Sequence, residues 1–303
     1  MGKVIGICLT FIIMLTGCFN AIKGVDDTAK QAIDTSIENA SSSKNQQSQS
    51  ENISQNTTDI NINKNTTLLE RIDTTKSQFE KGYYDYQGTI NNNISIQMSI
   101  YPIKDEIVGT YFYEKQRKEI KLQGKAGEKS IILYEYDETG KNTGIFQGKM
   151  NSVYKIVGTW ISADGKSLYP LTLSLKSIII GAEYGKRYGL AIKNTSDQDV
   201  ENFVNKIQSY VANDNKEKLA EQILYPITVK INGKATKIQN KDDVVNKYDE
   251  ILYTNYKNVI INTSTKYLFT NYQGVMLGNG EMWINEVTPT GNNSKLMITA
   301  INN

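Results

Sequence analysis

Short runs in which apolar and polar residues alternate dominate the middle of this 303-residue chain. In the clearest run, single polar residues separate Ile94, Ile96, Met98 and Ile100. A period of two places these apolar side chains on one face of a strand, which is typical of a half-buried antiparallel strand. Similar runs follow at regular spacing, over residues 107–113, 119–122, 131–136, 145–150, 154–160 and 171–175. No helix-length segment separates them, so the sequence predicts an antiparallel β-meander or small barrel over residues 68–193.

A glycine followed two residues later by an aromatic residue recurs in these strands. Gly109-Thr110-Tyr111 and Gly158-Thr159-Trp160 carry the pattern. Glycine permits a sharp bend in a strand, and the aromatic ring covers the gap that the glycine leaves. The pattern resembles the strands of lipocalin-like and avidin-like barrels. We take from this resemblance the meander alone and no ligand.

The N-terminus has the layout of an export signal. Lys3 precedes an apolar run from Val4 to Leu15, which is too short to span a bilayer as a helix. The boundary Leu15-Thr16-Gly17-Cys18 resembles the lipobox of bacterial lipoproteins. That resemblance implies a signal peptide over residues 1–17 and a diacylglyceryl thioether on Cys18. The alternatives are an ordinary secretory signal or an uncleaved anchor.

Residues 18–67 form a polar linker behind the lipidated cysteine. Serine, threonine, asparagine and glutamine make up more than half of this stretch, and Phe19 is its single aromatic residue. Such a composition buries too little apolar surface to offset the entropy of ordering, so we expect a disordered tether.

The pattern changes again near Ser196, where helical spacing begins. Val200, Val204, Ile207 and Val211 recur at helical spacing. A second short helix follows, then a hairpin around Asn232-Gly233 and a third helix over residues 241–253. The end is predicted as strands over residues 259–263, 272–277, 281–287 and 295–301.

This order of elements over residues 194–303 resembles the α+β cone of the nuclear transport factor 2-like superfamily. The resemblance implies a curved sheet that encloses a pocket, and a two-domain α+β chain as a whole. The candidate pocket residues are Tyr248, Asp249, Tyr253, Tyr272 and Trp283. Superfamily isomerases use a carboxylate base with a tyrosine. Because Tyr248 and Asp249 are adjacent on a helix, about 100° apart, only one of them is expected to face inward.

Composition excludes several kinds of chemistry. The chain has no histidine, so histidine-dependent nucleophiles and histidine-ligated metals are excluded. A net charge of +2 does not indicate the strongly basic surface that is typical of nucleic-acid binding proteins. Cleavage before Cys18 removes Cys8, so no free thiol remains. We therefore expect no cofactor and no metal, and the loop Asp137–Asn142 is interpreted as a hairpin turn because Lys141 occupies a calcium-ligand position.

The predicted barrel carries a pair of carboxylates and a set of tyrosines that could each serve a function. Glu135 and Asp137 share one face of a strand, which permits an acid pair, although a solvated edge is the favoured interpretation. A set of tyrosines permits a platform for cell-wall glycans, although packing within the sheet is favoured. The set is Tyr83, Tyr84, Tyr86, Tyr111, Tyr113, Tyr134 and Tyr136.

Together these features predict a lipoprotein on the outer, extracytoplasmic face of the cell membrane. We expect a non-catalytic binding or interaction module that contacts the membrane through its lipid, with a cell-wall glycan or an envelope protein as partner. The alternatives are a small-molecule isomerase that uses the C-terminal pocket, and glycan binding by the β-domain.

Lipidation of Cys18 can be tested directly by metabolic labelling. In cells that process lipoproteins, radiolabelled palmitate should mark the wild-type chain, which should fractionate with membranes, because two acyl chains give stable anchoring. The Cys18→Ala variant should be unmarked, whereas Cys8→Ala, in the discarded segment, should be marked like the wild type. Equal labelling of the wild type and Cys18→Ala would contradict the lipoprotein prediction.

Overall fold

The structure, a computed structural model, describes residues 69–288 and 293–303. The predicted signal peptide, Cys18 and the whole of the polar linker lie outside the described residues. Eight antiparallel strands pair in chain order, and the first pairs with the last to close a barrel. The strands are β1 (Gly82–Ile90), β2 (Ile94–Ile103), β3 (Glu106–Tyr113), β4 (Ile120–Ala126), β5 (Ser130–Tyr136), β6 (Asn142–Ser152), β7 (Lys155–Ser162) and β8 (Leu168–Ile180). The predicted meander is therefore confirmed in its closed form.

The barrel interior is filled by the apolar residues of the alternating pattern. Ile96, Met98 and Tyr111 are fully buried and belong to one cluster with side chains from every strand. Gly158 lies directly against the backbone of β6, because a Cβ added there would lie 1.9 Å from the carbonyl oxygen of Gln147. Such a close approach excludes any larger residue, which explains the glycine in the repeated triplet.

The two ends of the barrel differ. At one end the segment before β1 covers the core: Phe79 packs edge-on against Tyr84 at 4.9 Å between ring centroids. The Tyr86 hydroxyl donates to the carbonyl oxygen of Val153 at 2.7 Å on the same side. The opposite end, which we call the barrel mouth, is bordered by loops 91–93, 114–119, 137–141 and 163–167. The barrel therefore has one end covered by its own chain.

Residues 197–301 contribute five helices and six strands. The helices are α1 (Asp197–Ala212), α2 (Lys216–Ala220), α3 (Lys241–Asn246), α4 (Tyr248–Ile251) and α5 (Thr254–Asn262). The strands are β9 (Ile227–Ile231), β10 (Lys234–Ile238), β11 (Phe269–Asn271), β12 (Gly274–Leu277), β13 (Met282–Val287) and β14 (Lys295–Ile301). Ser196 caps the N-terminus of helix α1, because its side chain accepts from the Asp199 backbone N–H. No helix in the described ranges has the length and apolarity needed to cross a bilayer.

The strands of this part form a hairpin and a four-stranded antiparallel sheet. Strands β9 and β10 pair around Asn232-Gly233, both with positive φ, as predicted for a two-residue turn. Strands β11 to β14 pair in chain order. Asn303 joins the two groups, because its side chain accepts from the Lys230 N–H at 2.7 Å and donates to the Lys230 carbonyl oxygen at 2.7 Å. Strand β9 therefore lies beside the end of β14.

Two sequence predictions in this part were wrong. The predicted helix over residues 241–253 is divided into α3 and α4, since Lys247 leaves the helical conformation between them. The predicted strand over residues 259–263 lies largely within α5. Its β-branched residues favour a strand locally, but helical spacing buries Tyr256 and Ile260 against the core. Tertiary packing therefore overrides the local preference.

A buried arginine joins the barrel wall to the C-terminal part. Arg187 lies in the connection between β8 and α1, and its guanidinium forms an ion pair with Asp85 on the outer face of β1. Nη1 also donates to the Ser99 hydroxyl at 3.0 Å, and Nε donates to the Leu268 carbonyl oxygen at 3.0 Å. Both charged side chains are almost fully buried. One side chain thus connects two barrel strands to the segment before β11.

Aromatic rings enclose the same guanidinium. Its carbon lies 5.1 Å from the ring centroid of Tyr83, 5.7 Å from that of Tyr267 and 5.9 Å from that of Tyr188. The Tyr267 hydroxyl forms a 2.7 Å hydrogen bond with Thr110 on β3. Cation–π contacts of this kind are strongest where the charge is desolvated, as it is here.

Removing the Asp85 charge should destabilise the protein strongly. Asp85→Asn leaves the buried Arg187 charge without a counter-ion, and we expect a loss of about 3–5 kcal/mol in the free energy of unfolding. Urea unfolding of the chain from Phe19 onward measures it. The neighbouring control is Lys186→Ala, which removes an exposed pair with Glu183 and should cost less than about 1 kcal/mol. Equal effects of the two substitutions would contradict the role of the buried pair.

Candidate functional site

The candidate pocket residues of the C-terminal part occupy different environments. Tyr248 is buried in the core, and its ring lies 5.0 Å from Lys216 Nζ and 4.7 Å from Lys257 Nζ. Burial raises the pKa of Tyr248 to about 12. Its hydroxyl makes no hydrogen bond to any described residue. Tyr248 therefore packs as a core residue, with two lysines beside its ring.

The other four candidate residues face away from that core. The Asp249 side chain is exposed and pairs with Lys216 at 2.9 Å and Lys257 at 3.2 Å, and its pKa is lowered by the Lys216 hydrogen bond. Tyr253 is 48% exposed and Tyr272 is 82% exposed. Trp283 alternates with buried neighbours on β13 and so lies on the opposite face of the sheet. Among these five candidate residues, the structure therefore does not bring the carboxylate and a tyrosine together in one pocket.

The seven barrel tyrosines are likewise distributed over several surfaces. Tyr84, Tyr86 and Tyr111 are buried in the barrel interior, whereas Tyr83 lies over Arg187. Tyr134 is buried in a small cluster on the outer face. These tyrosines therefore do not form a single exposed aromatic platform.

A buried carboxylate lies at the barrel mouth. Glu135 is the last inward-facing residue of β5, in line with Ile131 and Leu133, and only 6% of it is exposed. Its Oε2 accepts from the Tyr111 hydroxyl at 2.6 Å and from Trp160 Nε1 at 2.9 Å. Its Oε1 accepts from the Thr143 hydroxyl at 2.6 Å. Strands β3, β6 and β7 thus each supply one donor.

The position of Trp160 depends on a glycine on the neighbouring strand. A Cβ added at Gly144 would lie 2.7 Å from Trp160 Nε1, so the indole rests directly on the backbone of β6. The opposite face of the indole stacks on Tyr169, with ring centroids 5.8 Å apart and planes 9° apart. This arrangement directs Nε1 toward Glu135.

The charge of Glu135 is not balanced by a basic group. Its three donors are neutral, and no lysine or arginine within residues 69–288 and 293–303 forms an ion pair with it. Burial, followed by the charge of Glu135, raises the pKa of Tyr111, so this phenol remains a donor. Burying a carboxylate without a counter-ion costs free energy, which hydrogen bonds offset only in part.

A cleft of about 400 Å³ opens beside this carboxylate at the rim of the mouth. Glu135, Thr143, Ile120 and Tyr136 contribute to its walls. Lys118 and Glu138 form an exposed 3.0 Å ion pair between the β3–β4 and β5–β6 loops that border it. We call it the mouth cleft. Its volume lies within the range of small-molecule sites, about 300–1,000 Å³.

A second cleft of about 680 Å³ adjoins the mouth cleft. It runs over the outer face of β3, β4 and β5. The residues that it shares with the mouth cleft are Lys121, Tyr136, Asp137, Glu138 and Thr139. Gln123 and the exposed Tyr184 also line it. The two clefts therefore form neighbouring concave surfaces at one end of the barrel.

The favoured sequence interpretation of Glu135 as part of a solvated edge was wrong. Asp137 lies beyond the end of β5, where its side chain accepts from the backbone N–H groups of Thr139 and Lys141. It therefore stabilises the predicted turn and does not pair with Glu135. Strand parity was the signal that would have found the site, because Glu135 has the same parity as the buried Ile131 and Leu133.

Neither a metal site among the described residues nor a similar known protein indicates what this site binds. Among the described residues, no group of three or more carboxylate side chains is arranged to hold a metal ion. Comparisons with family models, curated proteins and solved structures give no significant match to this chain. The site therefore has to be interpreted from its own chemistry.

The dependence of this site on Gly144 gives a stability prediction. Gly144→Ala should displace the indole and break its hydrogen bond to Glu135, at a cost of about 1–3 kcal/mol in the free energy of unfolding. In a Trp160→Phe background the ring is smaller and the bond is already absent, so the same substitution should cost less. Urea unfolding of the four chains measures this coupling. An equal cost in both backgrounds would contradict the proposed contact.

Proposed function

We propose that this protein is a lipid-anchored binding module on the outer face of the cell membrane, and that the barrel mouth is its ligand site. The observation that carries the proposal is Glu135, a buried carboxylate without a basic partner in the described part of the chain, at the wall of the mouth cleft. Buried ionisable groups in clefts are enriched at functional sites, because their burial is costly for stability alone.

The anchor in this proposal rests on the sequence. The apolar run, the boundary Leu15-Thr16-Gly17-Cys18 and the polar stretch that follows support export, cleavage before Cys18 and lipidation of that residue. Two acyl chains, each contributing about 0.8 kcal/mol per buried methylene, would hold the protein at the membrane. A polar tether of this length would leave the barrel mouth accessible to molecules in the cell envelope.

For the C-terminal part we propose a nuclear transport factor 2-like cone that acts as a scaffold rather than an enzyme. The order of its elements and the position of β9 beside β14 support the cone. The burial of Tyr248 and the exposure of Asp249 argue against isomerase chemistry at that pair. The scaffold would hold the barrel wall through Arg187 and so fix the shape of the mouth.

The second cleft favours one alternative ligand class, a cell-wall glycan. Tyr136 and the exposed Tyr184 offer ring faces, and Gln123 and Thr110 offer polar groups on the same surface. Sugar rings pack their C–H surfaces on tyrosine and form hydrogen bonds at the rim.

Loss of glycan binding in Tyr184→Ala, with small-molecule binding retained, would identify this surface.

A ligand screen tests the binding proposal. The chain from Phe19 onward should be stabilised by about 2.7 kcal/mol when a ligand is present at 100 times its dissociation constant, which is a rise of about 5–10 °C in Tm. Small metabolites of all charge types and soluble wall fragments form the screen. The rise should disappear in Thr139→Trp, which fills the rim that the mouth cleft shares with the second cleft from an exposed position. It should persist in Tyr184→Ala, which alters the second cleft alone.

The matched control is Thr228→Trp, an equally exposed substitution on β9. It should respond to ligand like the wild type. A rise in Tm that persists in Thr139→Trp would place binding elsewhere and contradict the assignment of the mouth. Failure of every compound and fragment to raise Tm would contradict the small-ligand function.

A further inference from the structure

We propose that the mouth cleft recognises a primary ammonium group carried on a small apolar body, with Glu135 as the counter-ion. This inference rests on the proposed function, because it names the class of ligand for the same site. It follows from the hydrogen bonding of the carboxylate, from the charges around it and from the walls of the cleft.

The carboxylate of Glu135 has more acceptor positions than its three hydrogen bonds use. An ionised carboxylate has two oxygens and about four lone-pair positions. Oε2 accepts from two donors, Tyr111 and Trp160, whereas Oε1 accepts from Thr143 alone. Oε1 therefore retains capacity for a further donor. Thr143 and Glu135 both line the mouth cleft, so a donor in the cleft can approach this oxygen.

The charge of Glu135 has no basic partner among the described residues, unlike most other charges that line the mouth cleft. The other carboxylates that line the mouth cleft have partners: Glu119 pairs with Lys266 at 3.0 Å, and Glu138 pairs with Lys118 at 3.0 Å. Asp137 accepts from two backbone N–H groups of its own turn. Among the carboxylates that line this cleft, Glu135 is thus the buried one, and its hydrogen-bond donors are all neutral side chains. Lys121 also lines the cleft, but it lies exposed on the outer face of β4 and forms no ion pair with Glu135 among the described residues. A cation beside Glu135 would neutralise the buried charge, whereas an anionic group at the same position would be repelled.

The side chains of the cleft suit an organic cation better than a metal ion. A divalent ion needs several hard oxygen ligands, usually six or more, and the described residues hold no group of three carboxylates that could supply them. A primary ammonium group needs only hydrogen-bond acceptors for its three N–H groups. Ile120 and Tyr136 provide apolar surface on the same walls, against which a hydrocarbon or aromatic body can pack.

Three probes of similar shape separate the effect of charge from the effect of the apolar body. They are 2-phenylethylamine, 2-phenylethanol and 3-phenylpropionate, and isothermal titration of the chain from Phe19 onward measures their dissociation constants. We expect the amine to bind at least about tenfold more tightly than the alcohol, since both probes can donate to the carboxylate but only the ammonium group also forms an ion pair with it. The carboxylate probe should bind most weakly.

Two variants assign the effect to Glu135. In Glu135→Gln the preference for the amine over the alcohol should fall to about twofold or less, because the shape remains while the charge is lost. The matched control is Glu128→Gln, which removes an exposed carboxylate at the opposite end of the barrel and should leave all three dissociation constants unchanged. If Glu135→Gln does not fold, Thr139→Lys adds a positive charge at the cleft rim from an exposed position and should weaken amine binding selectively.

The outcomes separate this inference from the proposed function. An amine that binds no more tightly than the alcohol overturns the inference. An amine preference that survives Glu135→Gln, or that survives Thr139→Lys where Glu135→Gln does not fold, overturns it as well. In these cases the proposed function stands if compounds of the wider screen still raise Tm in the wild type and not in Thr139→Trp. If neither the probes nor the screen show binding, the proposed function fails together with the inference.

Discussion

The ion pair between Arg187 and Asp85 is the contact on which the arrangement of the barrel and the C-terminal part depends. A buried charge is tolerated only when a counter-ion and hydrogen bonds replace water. Arg187 receives both, from Asp85, Ser99 and the carbonyl oxygen of Leu268. Because these partners belong to β1, β2 and the segment before β11, satisfying one guanidinium positions three elements relative to each other. The rings of Tyr83, Tyr188 and Tyr267 then exclude water from the charge.

Glu135 presents the same physical problem with a different solution. It is buried to a similar degree as Asp85, but its hydrogen bonds come from a phenol, an indole and a hydroxyl rather than from a cation. Asp85 is therefore part of the support of the fold, whereas Glu135 keeps an unbalanced charge beside a cleft. Asp85 lies on the part of the barrel wall that contacts the C-terminal part, whereas Glu135 lies at the barrel mouth beside the mouth cleft. The proposed ammonium ligand would supply at the mouth what Arg187 supplies at the wall.

The barrel was predictable from local sequence because strand alternation and turn residues are local signals. Ile96 and Met98 were assigned to one face by parity alone, and both lie in the barrel core. Asn232-Gly233 likewise specified its hairpin, because few other residue pairs adopt two successive positive φ angles. The residues around Val259 were not predictable in this way, because packing of Tyr256 and Ile260 decides their helix. The candidate pocket residues do not come together for a related reason. A helical pattern gives the angle between side chains such as Tyr248 and Asp249 around the helix axis, but it does not show which of them points into a cavity.

By itself, the sequence determined that the middle of the chain forms antiparallel strands and that no histidine chemistry operates, since periodicity and composition need no partner residues. It also gives the prediction of a lipidated Cys18, which rests on a short contiguous motif. Tertiary structure alone decided which carboxylate is balanced and which is not. Closure of the barrel brings Tyr111, Thr143 and Trp160 around Glu135 from three other strands, and the same closure leaves Arg187 on the outside with Asp85. Charge balance in a protein interior depends on distances of a few ångströms between residues far apart in the chain, which no local pattern encodes.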